Sequence, residues 1–503
     1  MPDPAPSPDR EKPGASQARA HPRGLYTLFF TEMWERLGYY GMRALLILFM
    51  VTGIEHGGLG LTDTVAAAIY GLFTSAVYLV TLPGGWMGDR LLGTQRAIWM
   101  GGVLLAAGYF LMAVPVLESF YLGLLVVALG SGLLKPNISA TVALLYPEGG
   151  ARRDAGFTLF YMGVNLGAAL GPIVCASLAK VFGWRVGFAA AGLGMGLGLI
   201  QFALTRRHLG EAGRHAPPRV EATPRDWRWV GAALVALTVL TALVMGRVIH
   251  PDPIALSRYA AAGILGLAAV YFVSLFLFAG LDAAERRRLL VVGVLFLASA
   301  VFWAGFEQAG SSLNLFAERY TDRWLGFLQP PREVPAGWFQ SLGAIFVITL
   351  APAVASLWLL LARRGRDLSP AGKFALALVL LGAGFLVMAA AAVLVTRGGK
   401  VLPYWLIATY LLHSFGELCL SPVGLSTVTK LAPARLASQM LGLWFLATSL
   451  GNLLAGMLAG RIKADNLAAM PGQFLQVAGI AGLAAVLLLL LVRPIRRLTS
   501  APP

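Results

Sequence analysis

The chain has 503 residues, of which 57% are hydrophobic and only 13% charged. Soluble globular domains carry about 25% charged residues, so these proportions exclude an ordinary soluble enzyme or binding module and indicate a polytopic membrane protein. Lys and Arg outnumber Asp and Glu by 40 to 24, a formal charge of +16, but the basic residues lie in short loops between apolar runs, which points to membrane orientation rather than to nucleic acid.

Residues 1–23 are rich in Pro and charge and lack an apolar h-region, so they read as a disordered tail and not as a cleaved signal. Fourteen apolar runs follow, near 25–53, 64–88, 96–115, 119–145, 156–180, 184–204, 229–246, 259–280, 289–317, 337–362, 371–396, 401–429, 436–460 and 470–492. Each is close to the length of a membrane-spanning helix, about 20 residues. An even number puts both termini on one side. With loops assigned alternately, that side holds 26 Lys and Arg and the other 11, while Arg36, Arg43 and Lys135 fall inside runs. The positive-inside rule then places both termini in the cytoplasm. Cys175 and Cys419 both lie within apolar runs and offer no disulfide framework.

The first run carries charge where a membrane helix can least tolerate it. Glu32, Arg36, Tyr40 and Arg43 recur at helical spacing and form one stripe, with Glu35 and Tyr39 beside it. Phe29, Phe30, Trp34, Leu37, Leu45 and Leu46 occupy the other faces. Such a stripe belongs against a water-filled cavity or a bundle interior. The second run contains Tyr78 and ends in Gly84-Gly85-Trp86-Met87-Gly88-Asp89-Arg90, and the fourth places Lys135 beside Pro136 at mid-span. The fifth holds Phe160-Tyr161-Met162-Gly163-Val164-Asn165-Leu166-Gly167. The Gly-rich sixth run, with Gly192, Gly194, Gly196 and Gly198, reads as a packing surface.

The longest basic loop, Arg206–Arg228, precedes runs seven and eight, which carry almost no polar groups and separate two sets of six. In the second set, the ninth run reads Phe302-Trp303-Ala304-Gly305-Phe306-Glu307, with a lone membrane acid, and the twelfth holds Glu417 and Ser421. Trp444 lies in the thirteenth.

Together these phrases resemble the proton-dependent oligopeptide transporter family of the major facilitator superfamily, bacterial type. They include Glu32-x-x-Glu35-Arg36, Tyr39-Tyr40-Gly41-Met42-Arg43, the Gly84–Arg90 loop, Leu134-Lys135-Pro136-Asn137 and Phe160–Gly167. The resemblance extends from Glu32 through Trp444. It implies an all-α fold of 12 core transmembrane helices plus 2 inserted ones. The expected division is a tail over 1–23, six-helix bundles over 24–205 and 287–495, a basic loop with the inserted pair over 206–286, and a tail over 496–503. It further implies import of di- and tripeptides with protons by alternating access. Glu32, Glu35, Arg36 and Glu307 are the implied proton-coupling residues. The implied substrate-binding residues are Arg36, Tyr39, Tyr40, Arg43, Tyr78, Lys135, Asn165, Trp303, Glu417, Ser421 and Trp444. Lys135 is expected to pair with the first-helix acids, Glu307 with a first-helix Arg, and Glu417 with the peptide amino terminus.

Two departures are visible. The family's Gln-Ser-x-Asn-Pro phrase is here Gln340-Ser341-Leu342-Gly343-Ala344, which keeps a nitrate or small-anion substrate open as an alternative. The His of animal members is absent from Ala68-Ile69-Tyr70-Gly71, and His413, the only His within a run, reads as a structural or lumen residue. A nutrient-sensor reading would want a large soluble domain, and no such segment is visible. No His-Glu-x-x-His, phosphate loop, Gly-x-Ser-x-Gly or metal-spaced Cys/His cluster supports an enzyme. The expected partners are small peptides and membrane lipid, with no nucleic acid and no cofactor beyond the coupling proton. The chain is expected to be a monomer in the bacterial inner membrane.

The deep charges are Glu32, Glu35, Glu307 and Glu417 against Arg36, Arg43 and Lys135, a balance of 3 − 4 = −1. Seven unpaired charges at about 3 kcal/mol each would cost roughly 20 kcal/mol, more than the about 5–15 kcal/mol by which proteins are stable. Pairing, hydration or protonation is therefore required.

Overall fold

The computed structural model describes residues 20–148, 150–215, 223–325, 332–431, 436–461 and 466–499. Most of the two terminal tails expected from the sequence lies outside the described residues.

Helices α1 (Arg23–Val51), α2 (Asp63–Leu79), α3 (Thr94–Ala113), α4 (Leu117–Leu144), α5 (Gly150–Phe182) and α6 (Trp184–Thr205) make the first set. The inserted pair is α7 (Pro224–Met245) and α8 (Pro253–Phe278). The second set is α9 (Ala283–Phe306), α10 (Ser341–Arg363), α11 (Pro370–Thr396), α12 (Tyr404–Leu431), α13 (Ala437–Ala459) and α14 (Met470–Thr499). Among the described residues, 13 helical segments are long and apolar enough to cross a membrane. The fourteenth span is α1, set apart by its four internal charges. This is the twelve-plus-two arrangement of the major facilitator fold.

The starts of the inserted and second-set helices follow local chemistry. Thr223 and Asp226 close a capping box on α7, and Asp282 and Glu285 do the same on α9. Asp252 and Ser369 cap α8 and α11, and Pro224, Pro253 and Pro370 sit in the first turns, where a missing N–H costs nothing.

Three details depart from an uninterrupted set of spans. The second span bends at Val80 and continues through Thr81–Met87 and a wide turn at Gly88–Leu92. The ninth breaks at a 3-10 turn, Glu307–Gly310, and resumes over Ser312–Tyr320. A two-residue hairpin pairs Trp324–Leu325 with Arg332–Glu333, strands too short for alternation to register in a sequence. At the other end, α14 runs on to Thr499, past the expected end of the span at 492.

Within the first set α1 packs on α5 and α6, and α3 on α4; within the second, α11 packs on α12 and α14, and α9 on α13. The sets meet where α2 faces α13 and α5 faces α10. Gly71 and Gly456 allow the closest approach: a Cβ on Gly71 would lie 3.0 Å from the Gly456 Cα. One turn further along α2, and two turns back along α13, Ser75 and Ser449 share a hydrogen bond of 2.8 Å between their hydroxyls. Other links gather toward the side away from the termini. Arg319 grips both carboxylate oxygens of Asp63 at 2.7 Å, and Lys180 pairs with Glu333 at 3.2 Å. Asn314 donates to the Ala44 carbonyl at 2.9 Å and Ser341 to the Ala169 carbonyl at 2.7 Å. The two sets are thus tied together on that side.

The inserted helices are unequal partners. None of the residues of α7 is buried, whereas α8 packs against both α2 and α13 and so straddles the seam between the sets.

Candidate substrate cavity and charge network

A polar cavity of about 210 Å³ lies between the two sets. The lining residues on α1, α5 and α12 recur at helical spacing. From α1 come Arg36, Tyr40 and Arg43; from α5, Tyr161, Val164, Asn165 and Ala168. The second set contributes Trp303, Phe306 and Glu307 at the end of α9, Gln340 and Gly343 at the start of α10, and Tyr410, His413 and Glu417 on α12. Tyr78 of α2 completes the aromatic wall.

Two ion clusters organise this space. On α1, the Arg36 guanidinium lies 2.6 Å from Glu32 and 3.3 Å from Glu35, with both acids buried. One cation shared by two carboxylates leaves a formal charge of −1. Seven residues beyond Arg36 on the same helix, about 10 Å at about 1.5 Å per residue, Arg43 reaches across to the other set. Its Nη2 lies 2.8 Å from Glu307 Oε2, and its Nε donates to the Tyr70 hydroxyl at 2.6 Å. Glu307 directly follows the last residue of α9 and lines the same cavity as Trp303, four residues before it. Gly310 is required there: a Cβ would run into the Tyr70 hydroxyl and come within 2.7 Å of Arg43 Nε.

Glu417 stands apart. It is partly exposed to the cavity, and among the described residues no cation lies within ion-pair reach of it. The cavity therefore has basic groups on the first set and a solitary acid on α12.

The structure brings Arg36, Tyr40, Arg43, Tyr78, Asn165, Trp303, Glu307 and Glu417 to one cavity. It does not bring four other expected binding residues to the lining. Tyr39 is 1% exposed and its ring packs under the Lys135 ammonium, 3.9 Å away. Lys135, which was expected to pair with the first-helix acids, instead sits between the Tyr39 and Tyr78 rings, the second at 5.3 Å. A cation over two aromatic faces is held by their quadrupoles. Trp444 is buried against Phe374 and Gly424, as a core residue. Ser421, one turn beyond Glu417, is likewise not a lining residue.

Tyr161, Gln340 and Tyr410 were not among the expected binding residues, while His413, read from the sequence as a structural or lumen residue, lies in the lining. The signal was present: Tyr410 and His413 precede Glu417 by seven and four residues, and Tyr161 precedes Asn165 by four, so each shares a face with a residue already singled out. The Gly84–Arg90 loop shows a packing role. Asn137 donates to the Gly84 carbonyl at 3.0 Å, and its side chain fills the space a Cβ on Gly88 would need.

A family model described as the POT family matches residues 95–472. The chain belongs to the POT family. Among curated relatives, the peptide transporter YePEPT of Yersinia enterocolitica is 42% identical, with 97% of each chain covered. A di-/tripeptide transporter of Lactococcus lactis subsp. cremoris is 35% identical over 95% of this chain and 96% of its own. Among solved structures, a POT peptide transporter in complex with sulfate is 37% identical and superposes with a TM-score of 0.88 over 96% of each chain. A POT family transporter in complex with 5-aminolevulinic acid is 31% identical, with a TM-score of 0.85 over 94% of this chain and 97% of its own. The fold of this POT protein is thus the family's fold over nearly its whole length.

Proposed function

We propose that this protein is a symporter that imports di- and tripeptides with protons by alternating access. The observation that carries the proposal is the 2.8 Å pair between Arg43 and Glu307, which links the two helix sets across the cavity floor. A proton on Glu307 removes the negative partner, and with it a bond that resists separation of the sets. The cavity's polarity suits a zwitterion. Arg36 or Arg43 would hold the peptide carboxylate, for which a guanidinium fork is well matched, and Glu417 would receive the ammonium. Competition between carboxylate and Glu307 for Arg43 then couples substrate to proton, because each ligand favours the state in which the pair is open. The Glu32–Arg36–Glu35 cluster assists as the second site of excess negative charge. The 210 Å³ space suits a small ligand better than a long chain.

Several finer assignments belong to this reading. The protein resides in a bacterial inner membrane with both termini cytoplasmic, works as a monomer, and needs no cofactor besides the proton. A relative 25% identical to this chain has been solved as tetrameric PepTSo2, so cross-linking in native membranes bears directly on the monomer assignment. The functional division is two rocking units, 24–205 and 287–495, with 206–286 between them.

Uptake of labelled dialanine into proteoliposomes, with and without an inward proton gradient, tests the proposal. Concentrative uptake only with the gradient is expected. Uptake that ignores the gradient, or nitrate accumulation with no peptide competition, would overturn it.

A further inference from the structure

A second cavity, larger than the first and independent of the transport reading, opens between α8 and α9. It encloses about 500 Å³ and is lined by apolar side chains alone. On α8 the stripe runs from Leu265 through Ala269 and Phe272 to Phe276; on α9 it runs from Leu290 through Gly293 to Leu297. Phe272 and Phe296 meet edge to face at 5.9 Å, but the two helices otherwise touch little, which leaves the crevice between them.

Its position in the membrane is defined by the helix ends. Leu265 and Leu297 are near the middle of their spans, while Phe276 and Leu290 approach the side of the termini. From Leu265 to Phe276 the crevice is about 16 Å long at about 1.5 Å per residue. One leaflet of hydrocarbon is about 15 Å thick. The cavity therefore spans one leaflet, the one on the side of the termini.

Charge marks its outer end. Arg286, Arg287 and Arg288 follow one another in the first turns of α9. Arg286 is one turn before Leu290 on the crevice stripe, and its guanidinium lies 5.8 Å from the ring centre of Phe276, a lining residue. The neighbouring acids are engaged in the helix cap: Asp282 accepts from the Glu285 backbone at 2.7 Å, and Glu285 accepts from the Asp282 backbone at 3.1 Å. An apolar slot one leaflet deep, with the Arg286 guanidinium at its outer end and Arg287 and Arg288 next to it in the first turns of α9, is complementary to a single molecule with a long acyl chain and a phosphate. We infer that the α8–α9 crevice is a binding site for one anionic glycerophospholipid, its acyl chain along Phe272 and Gly293 and its phosphate at Arg286–Arg288. Basic groups of this kind at a membrane surface attract anionic lipid by about fivefold each.

Phosphatidylglycerol and phosphatidylcholine are the probes. The full-length protein is delipidated, exposed to each lipid, and the lipid retained per chain is counted by native mass spectrometry. Wild type is expected to hold one phosphatidylglycerol and to bind phosphatidylcholine far more weakly. Replacing Arg286, Arg287 and Arg288 together by Gln should weaken phosphatidylglycerol by about 100-fold and leave phosphatidylcholine unchanged. Ala269→Trp should abolish retention by filling the slot. Because a Trp there could disturb folding, Gly293→Leu serves as the second block, at a position where the nearest neighbour of a Cβ is the Phe272 ring at 3.7 Å. Equal retention of both lipids by wild type would overturn the headgroup assignment. Undiminished phosphatidylglycerol in Gly293→Leu, or a wild-type dimer that this substitution abolishes, would overturn the site itself.

Discussion

Arg43 on α1 and Glu307 at the break of α9 face each other at 2.8 Å, each almost fully buried and each drawn from a different helix set. Removing one member of a buried pair strands the other's charge, at a cost of about 3–5 kcal/mol. Arg43→Leu and Glu307→Leu should therefore each lower thermal stability sharply, and the double substitution should recover much of the loss. A double-mutant cycle in detergent measures this. Strictly additive losses would show that the two do not interact.

With Glu307 as the proposed proton carrier, substitution there should separate proton coupling from substrate binding. Glu307→Gln keeps the side chain neutral, as if always protonated. Counterflow, which needs no net proton movement, should survive at least in part, while concentrative uptake under an inward proton gradient should vanish. Glu32→Gln and Glu35→Gln should depress both assays, because those acids hold Arg36 at 2.6 and 3.3 Å. Wild-type accumulation by Glu307→Gln would place the coupling group elsewhere, with the first-helix acids next in line.

Glu417 should read the substrate's amino end. Glu417→Gln is expected to weaken competition by free-amine dipeptides by about tenfold or more, the loss of one charge-assisted contact of about 1.5–3 kcal/mol. N-acetylated dipeptides, which lack the cation, should be little affected. The same loss for both ligand classes would remove Glu417 from that role.

Gly310 has no chemistry of its own and should still be sensitive. Gly310→Ala puts a methyl group against Tyr70 and Arg43, an overpacking worth about 1–3 kcal/mol. Gradient-driven uptake should fall by tenfold or more while the protein remains in the membrane at near-normal levels. Gly266→Ala, where nothing lies within 4 Å of the new methyl, is the matched control.

The Asp63–Arg319 contact ties the sets together away from the termini. Asp63→Asn should loosen that side by about 1 kcal/mol, or about fivefold in the population of the open form. Alkylation of a cysteine at Ser341, in a background with Cys175 and Cys419 replaced, should speed up by a similar factor. An unchanged rate would mean that other contacts hold the side shut.

Hydropathy made the spans legible, and the charge stripe on α1 marked the cavity in the sequence itself, because both depend on which residues can face lipid. What it did not resolve is rotation and local breakage. Lys135 could satisfy its charge with a carboxylate or with aromatic faces, and only the packing of α4 against α1 and α2 selects Tyr39 and Tyr78. Ser421 shares α12 with Tyr410, His413 and Glu417 but does not reach the lining, a difference of rotation that residue type does not encode, and Trp444 sits on α13, which contributes none of its described residues to it. The turn at Glu307–Gly310 was hidden inside an apolar run, since a 3-10 turn changes backbone geometry without changing hydropathy. Tyr410 and His413 were recoverable from the period of α12 once Glu417 had been placed.

The near-contact of Gly71 with Gly456 makes α2 a lever with unequal arms. Asp63 is eight residues from Gly71 on one side, about 12 Å of helix, while Leu92 is twenty-one residues away on the other, about 31 Å if the rise holds across the bend at Val80. A tilt about this point that draws Asp63 off Arg319 by 1 Å therefore carries the far end of the span by about two and a half times as much. Small bond-scale movements on the tied side become gate-sized movements on the other, and a bulky residue at either glycine would shift the fulcrum rather than merely loosen a contact.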